Sequence, residues 1–317
     1  MLEDSNSNSK EWKLIEKTVL QLGNEHKRSR RWGILFKTLT FVYLFALLII
    51  LKDGFSGESF THADTYTALV DVSGVIAAGE KAGADNIVTG MRAAFNAEGT
   101  QAVVLRINSP GGSPVQAGYV YDEIKRLRVL HPNIPLYAVI SDIGASGAYY
   151  IAAAADKIYA DKASLVGSIG VIASGFGFVD TMKKLGVERR LYTSGKHKAF
   201  LDSFSDQKSD EVDFWQSVLN ETHQQFINKV KEGRGERLTV AEDTFSGLIW
   251  NGEQALKMGL IDGLGSTGYV AREIVGTKDI VDFTPKPDAF EQISKTLGMA
   301  ASTAMAKIMA AGNLSMH

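Results

Sequence analysis

Apolar residues follow two alternating patterns through the middle of the 317-residue chain. Strand-length apolar runs lie at residues 68–72, 102–107, 136–140, 157–160 and 165–172. Between them, helical periodicity begins near Asp85 and near Ser113 and covers residues 149–155. Strands that alternate with helices in this way are typical of βαβ units. The pattern therefore predicts an α/β fold with a largely parallel sheet covered by helices.

A longer helical pattern covers residues 209–231. Five apolar side chains recur along one face of it, at Val212, Trp215, Leu219, Phe226 and Val230. Such a stripe is more typical of a core-facing helix than of a binding site. We expect this face to be buried.

The N-terminal region predicts a membrane anchor. Residues 33–51 are apolar except for Lys37, which lies close enough to one end to reach the interface. Four of the five residues at 27–31 are basic, so residues 1–32 are expected in the cytoplasm and the rest of the chain outside it. The alternative is a cleaved signal peptide, because only residues 39–51 are apolar without interruption. The expected location is the inner (cytoplasmic) membrane, crossed once, with the domain on the periplasmic or extracytoplasmic side.

The remaining boundaries follow from composition. Residues 52–65 are polar and rich in glycine and serine, which predicts a linker. Residues 66–284 hold one domain's worth of alternating strands and helices. Residues 285–317 are rich in alanine and methionine, which predicts a helical tail.

Composition and charge exclude several kinds of protein. The chain has 34 Lys and Arg against 36 Asp and Glu, a net charge of −2, which offers no broad basic surface for nucleic acid. It has no cysteine, so disulfide scaffolds, thiolate zinc sites and cysteine nucleophiles are excluded. Covalent catalysis would have to use an oxygen or nitrogen nucleophile.

Paired glycines follow the second predicted strand. Residues 107–114 read INSPGGSP, and Gly111 and Gly112 can adopt backbone conformations closed to other residues. Their N–H groups, next to a helix N-terminus, are suited to stabilising an oxyanion. A plain strand-to-helix turn explains the same residues, so the segment alone leaves both readings open.

A serine lies at the next junction between a strand and a helix. Residues 142–150 read DIGASGAYY, and small neighbours leave Ser146 exposed at a positive helix terminus. The segment is not the hydrolase nucleophile elbow, which requires glycine where Ala148 stands. Ser146 is also explained as a helix N-cap.

A nucleophilic serine needs a base, and none of the six histidines lies in an obvious triad with an acid. Residues 193–200 read TSGKHKAF, and Lys198 directly precedes an apolar stretch. A lysine can act as a base if a dry setting lowers its pKa from about 10.4 to about 7–8. Two surface lysines beside a glycine are the simpler explanation of this segment.

The order of these segments resembles one protein family. The chain reads NSPGG, then GASGAYYIA, then DKIYADKASLVGSIGV, then SGKHK, then GLIWNGEQALKMGLIDGLG. Over residues 66–275 it resembles the signal peptide peptidase A (SppA) family of membrane-bound serine proteases. The resemblance implies the Clp-protease/crotonase-like fold and an activity that degrades signal peptides left in the membrane after secretion.

The resemblance also implies site roles. Ser146 matches the nucleophile, Lys198 the general base, and Ser168 the serine that hydrogen-bonds the base lysine. The oxyanion donors match the N–H of Gly147 and one N–H from Gly111 or Gly112. No metal or cofactor is implied, and the expected partners are peptide substrates, the lipid bilayer and further copies of the chain.

In this family the serine and lysine of one site lie on adjacent domains. A single-domain chain is therefore expected to form a homo-oligomeric ring in which Ser146 of one subunit meets Lys198 of the next. The SohB-like branch shares the same dyad. Two other classes remain as alternatives: a crotonase-type acyl-CoA enzyme and a non-catalytic membrane scaffold.

Overall fold

The computed structural model describes residues 30–47 and 64–286, together with the single position Lys17. Residues 30–47 are helical and are considered by themselves; in this helix the Thr38 hydroxyl donates to the Ile34 carbonyl. Among the described residues, no helix combines the length and apolar character needed to cross a bilayer. Positions 48–51 of the predicted span lie outside the described residues. So do residues 1–16 and 18–29, most of the predicted linker and the predicted tail from residue 287 onward.

Eight short strands form one sheet within residues 64–286. They are β1 (Tyr66–Ser73), β2 (Thr100–Ser109), β3 (Leu136–Ala145), β4 (Lys157–Ala160), β5 (Leu165–Gly167), β6 (Ile249–Asn251), β7 (Gly263–Leu264) and β8 (Ile280–Asp282). The main path runs β6-β5-β3-β2-β1-β8, and β4 joins β3 to β7. Only the pairing of β5 with β6 is antiparallel among these strands. The predicted α/β fold with a largely parallel sheet is confirmed.

Seven α-helices connect these strands. They are α1 (Ala84–Asn96), α2 (Pro114–Leu130), α3 (Gly147–Ala152), α4 (Val179–Leu185), α5 (Ser209–Arg234), α6 (Gly252–Lys257) and α7 (Thr267–Tyr269). A 3₁₀ turn over Gly235–Arg237 follows α5, and α7 continues as a π-helix over Val270–Val275. The two helices after β1 and β2 bury apolar stripes against the sheet, including Ile87 and Met91 from α1 and Ile124 from α2.

Strand β3 changes its neighbour halfway along. Its first half, from Tyr137 to Ile140, pairs with β4, whereas Ile143 to Ala145 pairs with β5. The strand therefore has β4 as its neighbour in its first half and β5 as its neighbour immediately before Ser146. A change of partner at the carboxyl end of a parallel strand opens a crevice, which is where α/β proteins commonly place their sites.

A buried ion pair joins the end of α5 to the loop that follows α6. Arg234 at the end of α5 is fully buried; its Nη1 lies 2.8 Å from Oδ2 of Asp262, and its Nε donates to the Gly259 carbonyl. Burial alone would raise the pKa of Asp262, but hydrogen bonds from Arg234 and the Ile158 N–H, together with nearby positive charge, hold it below its usual value. The Tyr149 hydroxyl of α3 donates to the Leu260 carbonyl beside this pair, at 2.7 Å.

The segment from Gly170 to Asp210 is supported differently. No residue in it is buried, and α4 contributes no residue to the core. Local contacts hold it together, among them the ion pair of Arg189 with Asp202 and the stacking of Phe178 on Phe204. We call this segment the arm.

Candidate active site

Ser146 occupies a sharp turn between β3 and α3. Its backbone has φ 53° and ψ −126°, a conformation that non-glycine residues rarely adopt. Such strain persists only where the surrounding structure enforces it, and it concentrates at functional sites. The sequence lacks the glycine of the nucleophile-elbow motif, yet the turn has the strained strand-to-helix character of that motif.

The Ser146 hydroxyl is not used as a helix cap. Ser146 is the N-cap residue of α3, but its side chain makes no capping hydrogen bond. Its backbone N–H is held by the Gly167 carbonyl at 2.8 Å, and its carbonyl accepts the first helical bond, from Tyr150. The capping explanation therefore does not account for the hydroxyl, which remains accessible.

Ser146 opens into a small, mostly apolar cavity of about 130 Å³. Gly112 and Gly147 contribute backbone to its lining, and helix α5 contributes Thr222, Gln225 and Phe226. The lining residues are Gly112, Pro114, Ser146, Gly147, Tyr150, Gly170, Val171, Ile172, Thr222, Gln225 and Phe226. A cavity of this size has room for about one side chain, and Thr222 and Gln225 add polar groups to its apolar and aromatic walls.

Gly112 is held against the chain that follows β1. The Ile76 N–H donates to the Gly111 carbonyl, and the Ser113 N–H donates to the Ile76 carbonyl. A Cβ on Gly112 would lie 2.1 Å from the Ile76 oxygen, and Gly112 has φ 151°. Only glycine fits this position without a backbone shift.

The two candidate oxyanion glycines differ in their N–H groups. The Gly111 N–H donates to the Ser109 Oγ at 3.1 Å, and Gly111 is buried. Gly112 is exposed, and neither its N–H nor that of Gly147 has an acceptor within the ranges that the structure describes. The Gly112 nitrogen also lies 3.4 Å from the position of a Cβ on Gly147. Gly112 and Gly147 thus present two free donors beside Ser146, and Gly111 does not.

Ser168 follows β5 and is also strained, with φ 49°. Its N–H donates to the Leu248 carbonyl at 2.8 Å, which turns the chain toward the cavity. The next carbonyl, of Ile169, contacts Nε2 of His223 at 3.0 Å. Strand β5 ends at Gly167, so the predicted strand over 165–172 is wrong beyond that residue, because the positive φ of Ser168 interrupts the extended chain.

Lys198 lies on the arm and is exposed. It is not among the residues that line the Ser146 cavity. Its N–H donates to the Gly195 carbonyl, which closes a turn. The dry setting predicted for Lys198 is absent from the single chain, and its pairing with Ser146 stays a prediction.

Three residues with a place in this geometry were not singled out from the sequence. They are Ser109, which holds Gly111; His223, which contacts the chain after Ser168; and Glu211, which contacts His197 beside Lys198. Ser109 lies inside the NSPGG motif, so its position was a signal. His223 and Glu211 gave no signal because they lie on α5, far away in sequence. In residues 64–286 as described, no three His, Asp or Glu side chains are grouped to hold a metal ion.

Comparison with known proteins relates the chain to a family of peptidases. Residues 128–280 match the model of Peptidase family S49. The chain is 30% identical over 217 residues to a protein of Enterococcus faecium named putative signal peptide peptidase SppA, covering 68% of this chain and 61% of that protein. It is 31% identical over 199 residues to putative protease slr0021 of Synechocystis, covering 63% of this chain and 69% of that protein.

A further relative carries a different name. A Brucella abortus protein named Na(+)/H(+) antiporter NhaA is 44% identical over 185 residues, which cover 58% of this chain but 25% of that protein. The chain thus spans about a quarter of that relative and about three-fifths of the Enterococcus protein. A match to a quarter of a protein does not transfer the activity in its name, whereas the family match and the protease relatives agree with one another. The chain belongs to the SppA family of serine proteases, peptidase family S49.

Proposed function

We propose that the protein is a membrane-anchored serine endopeptidase that uses a Ser146–Lys198 dyad and degrades signal peptides left in the membrane after secretion. The observation that carries the proposal is the Ser146 turn: a strained serine whose hydroxyl makes no capping bond, next to two N–H groups that have no acceptor among the described residues. The proposal includes the Clp-protease/crotonase-like fold implied by the sequence resemblance. The protease names of the relatives favour peptide hydrolysis over acyl-CoA chemistry.

The reaction follows from these groups. Neutral Lys198 takes the Ser146 proton while Oγ attacks the peptide carbonyl, and the N–H groups of Gly112 and Gly147 hold the oxyanion. Lys198 then gives the proton to the leaving amine, which leaves an acyl-enzyme on Ser146. Water, deprotonated by Lys198, releases the acid and restores the serine. Ser168 is assigned to orient the lysine amine.

Lys198 reaches Ser146 from a neighbouring subunit in this proposal. The arm that carries Lys198 buries none of its residues and exposes large apolar side chains, among them Phe176, Leu185 and Tyr192. Apolar surface of this extent favours association with another surface. Head-to-tail packing that closes into a ring would use every arm in the same way.

The predicted anchor places this site near its substrates. Residues 33–51 would tether the domain on the extracytoplasmic side, which raises the local concentration of membrane-bound peptides. An alkaline phosphatase fusion after Asp53 should be active and one before Arg31 inactive. A mature protein that begins near Asp53 would instead show a cleaved signal.

Fluorophosphonate labelling tests the nucleophile directly. We expect the reagent to modify Ser146 in the purified protein and to leave the Ser146→Ala variant unlabelled. Ser113, which caps α2 a short distance along the chain, provides the control: Ser113→Ala should label normally. A label mapped to any other serine would overturn the assignment.

A further inference from the structure

We infer that Glu211 is a positioning residue for Lys198. Its buried carboxylate contacts His197, and this contact fixes the turn that carries the lysine. The inference rests on the proposed dyad, because it concerns the placement of the base. Glu211 does not line the Ser146 cavity, so it would act through the turn rather than on substrate.

Glu211 is distinguished by its burial. It is the first buried residue after Ile169, and its side chain is only 8% exposed. Burying a carboxylate is costly unless charged or hydrogen-bonding groups satisfy it. Glu211 is buried, whereas the arm directly before it has no buried residue. The groups that contact its carboxylate must therefore offset the cost of burying it.

Two side chains contact the same carboxylate oxygen. The Lys208 Nζ donates to Oε1 of Glu211 at 3.1 Å, and Nδ1 of His197 lies 3.6 Å from that oxygen. Glu211 is also in the first turn of the 26-residue helix α5, where the helix dipole favours negative charge. Lys208 belongs to the same end of that helix, whereas His197 belongs to the turn that carries Lys198. The His197 contact thus joins the lysine turn to the helix.

A second contact holds the turn on the other side of Lys198. The Phe200 ring meets the edge of Trp215 with centroids 5.8 Å apart and also meets Phe214 at 6.3 Å. Both Trp215 and Glu211 lie on the first turns of α5. Lys198 therefore lies between a polar contact at His197 and an aromatic contact at Phe200, both made to one helix.

These two contacts matter because the lysine turn, residues 195–200, has little other support among the described residues. It contributes no residue to the core, and its backbone bonds are local, from the Lys198 N–H to Gly195 and from the Phe200 N–H to His197. A displaced reacting group costs about 100-fold in rate for a shift on the order of 1 Å. Release of His197 from Glu211 would give Lys198 this freedom without removing its amine.

The test compares Glu211→Gln with Glu221→Gln in the full-length, detergent-solubilised protein. Both changes remove one carboxylate from α5, but Glu221 is exposed and has no ion pair among the described residues. We expect Glu211→Gln to lower kcat about 10- to 100-fold with KM changed less than about twofold, since only the base is displaced. Glu221→Gln should match the wild type in both constants.

His197 variants separate positioning from general stability. His197→Ala should lower kcat as Glu211→Gln does, and the double variant should be no worse than either, because both break one contact. His197→Asn, which keeps a polar group near the place of Nδ1, should recover most of the activity. Additive losses, or full activity in Glu211→Gln at unchanged oligomer size, would overturn the inference.

Lys198→Ala distinguishes this inference from the proposed dyad. If Lys198→Ala is inactive while Glu211→Gln is fully active, only the role of Glu211 is wrong. If Lys198→Ala is active, the dyad itself is wrong and Glu211 has no base to position. If Glu211→Ala fails to assemble, Glu211→Gln still decides, because the amide keeps the size of the carboxylate.

Discussion

The Ser146 turn and the arm that bears Lys198 differ in how the chain supports them. Ser146 follows a strand paired on both sides and is flanked by buried residues, and its N–H is bonded to β5. The arm has no buried residue from Gly170 to Asp210. A strained backbone survives in the first region because packing enforces it. No comparable packing acts on Lys198.

This difference separates two parts of the proposed dyad. The proposed nucleophile and oxyanion donors are organised within one chain, down to the individual N–H groups. The proposed base, Lys198, lies on a surface that one chain leaves exposed. We expect the first part to survive isolation of a subunit and the second to depend on assembly.

The largest effect should come from Lys198. Lys198→Arg keeps the positive charge but cannot release a proton at any working pH, so peptide hydrolysis should fall more than about 1000-fold, as for Ser146→Ala. Lys196→Arg, the same change two residues earlier, should be mild. Steady-state kinetics on a fluorogenic peptide measure both. High activity in Lys198→Arg would remove the lysine from the mechanism.

Mixing inactive chains should restore part of the activity. Ser146→Ala and Lys198→Ala subunits, unfolded and reassembled together in equal amounts, should regain about a quarter of the wild-type sites, because each site needs one intact contribution from each type. Each variant reassembled alone is the control and should stay inactive. Verified mixed assemblies without activity would mean that both residues act within one chain.

Ser109→Ala should have a smaller effect. The change frees the buried Gly111 N–H from its acceptor and loosens the chain before Gly112, so we expect kcat to fall about 10-fold. The lost buried hydrogen bond should lower the free energy of unfolding by about 1–3 kcal/mol. Ser113→Ala removes a cap on α2 instead; it should cost about 1 kcal/mol and leave kcat unchanged. Equal kcat in the two variants would count against a role for Ser109.

The smallest effect concerns stability at Ser146. Glycine adopts positive φ without strain, so Ser146→Gly should be about 1 kcal/mol more stable than Ser146→Ala, with both inactive. Ser146→Ala itself should cost little, since no cap bond is lost. Chemical denaturation of the two variants makes the comparison. A less stable glycine variant would show that the surrounding packing does not enforce strain on this residue.

The sequence predicted the strands and helices in which the spacing of apolar residues follows their burial in the core. Strands β1 to β4 and the starts of α1 and α2 agree with their apolar patterns, because parallel strands buried on both faces are continuous apolar runs. The stripe on α5 was only partly informative. Phe226 and Val230 are buried as predicted, but Val212 is exposed and Leu219 only half-buried, because the N-terminal part of α5 lies with the arm. Periodicity identifies an apolar face without identifying what covers it.

The sequence also predicted only part of the candidate site. Local chemistry indicated Ser146 and the glycine pair, since a small-residue turn at a strand end is visible in the sequence. The choice between Gly111 and Gly112 depends on one hydroxyl, Ser109 Oγ, and on a carbonyl of Ile76 from another loop. Contacts of that kind depend on the folded chain, and no spacing rule predicts them.

The change of neighbouring strand along β3 makes the Ser146 turn depend on the pairing of β5. The Ser146 amide is bonded to the Gly167 carbonyl, so the turn is complete only when β5 has joined the half of the sheet that β4 does not reach. A chain in which β1 to β4 have paired but β5 has not would hold much of the parallel sheet without the finished Ser146 turn. Pairing of β5 with β3 would then be a condition for the proposed activity, and in hydrogen exchange the Ser146 amide should be protected no more strongly than the amides of β5.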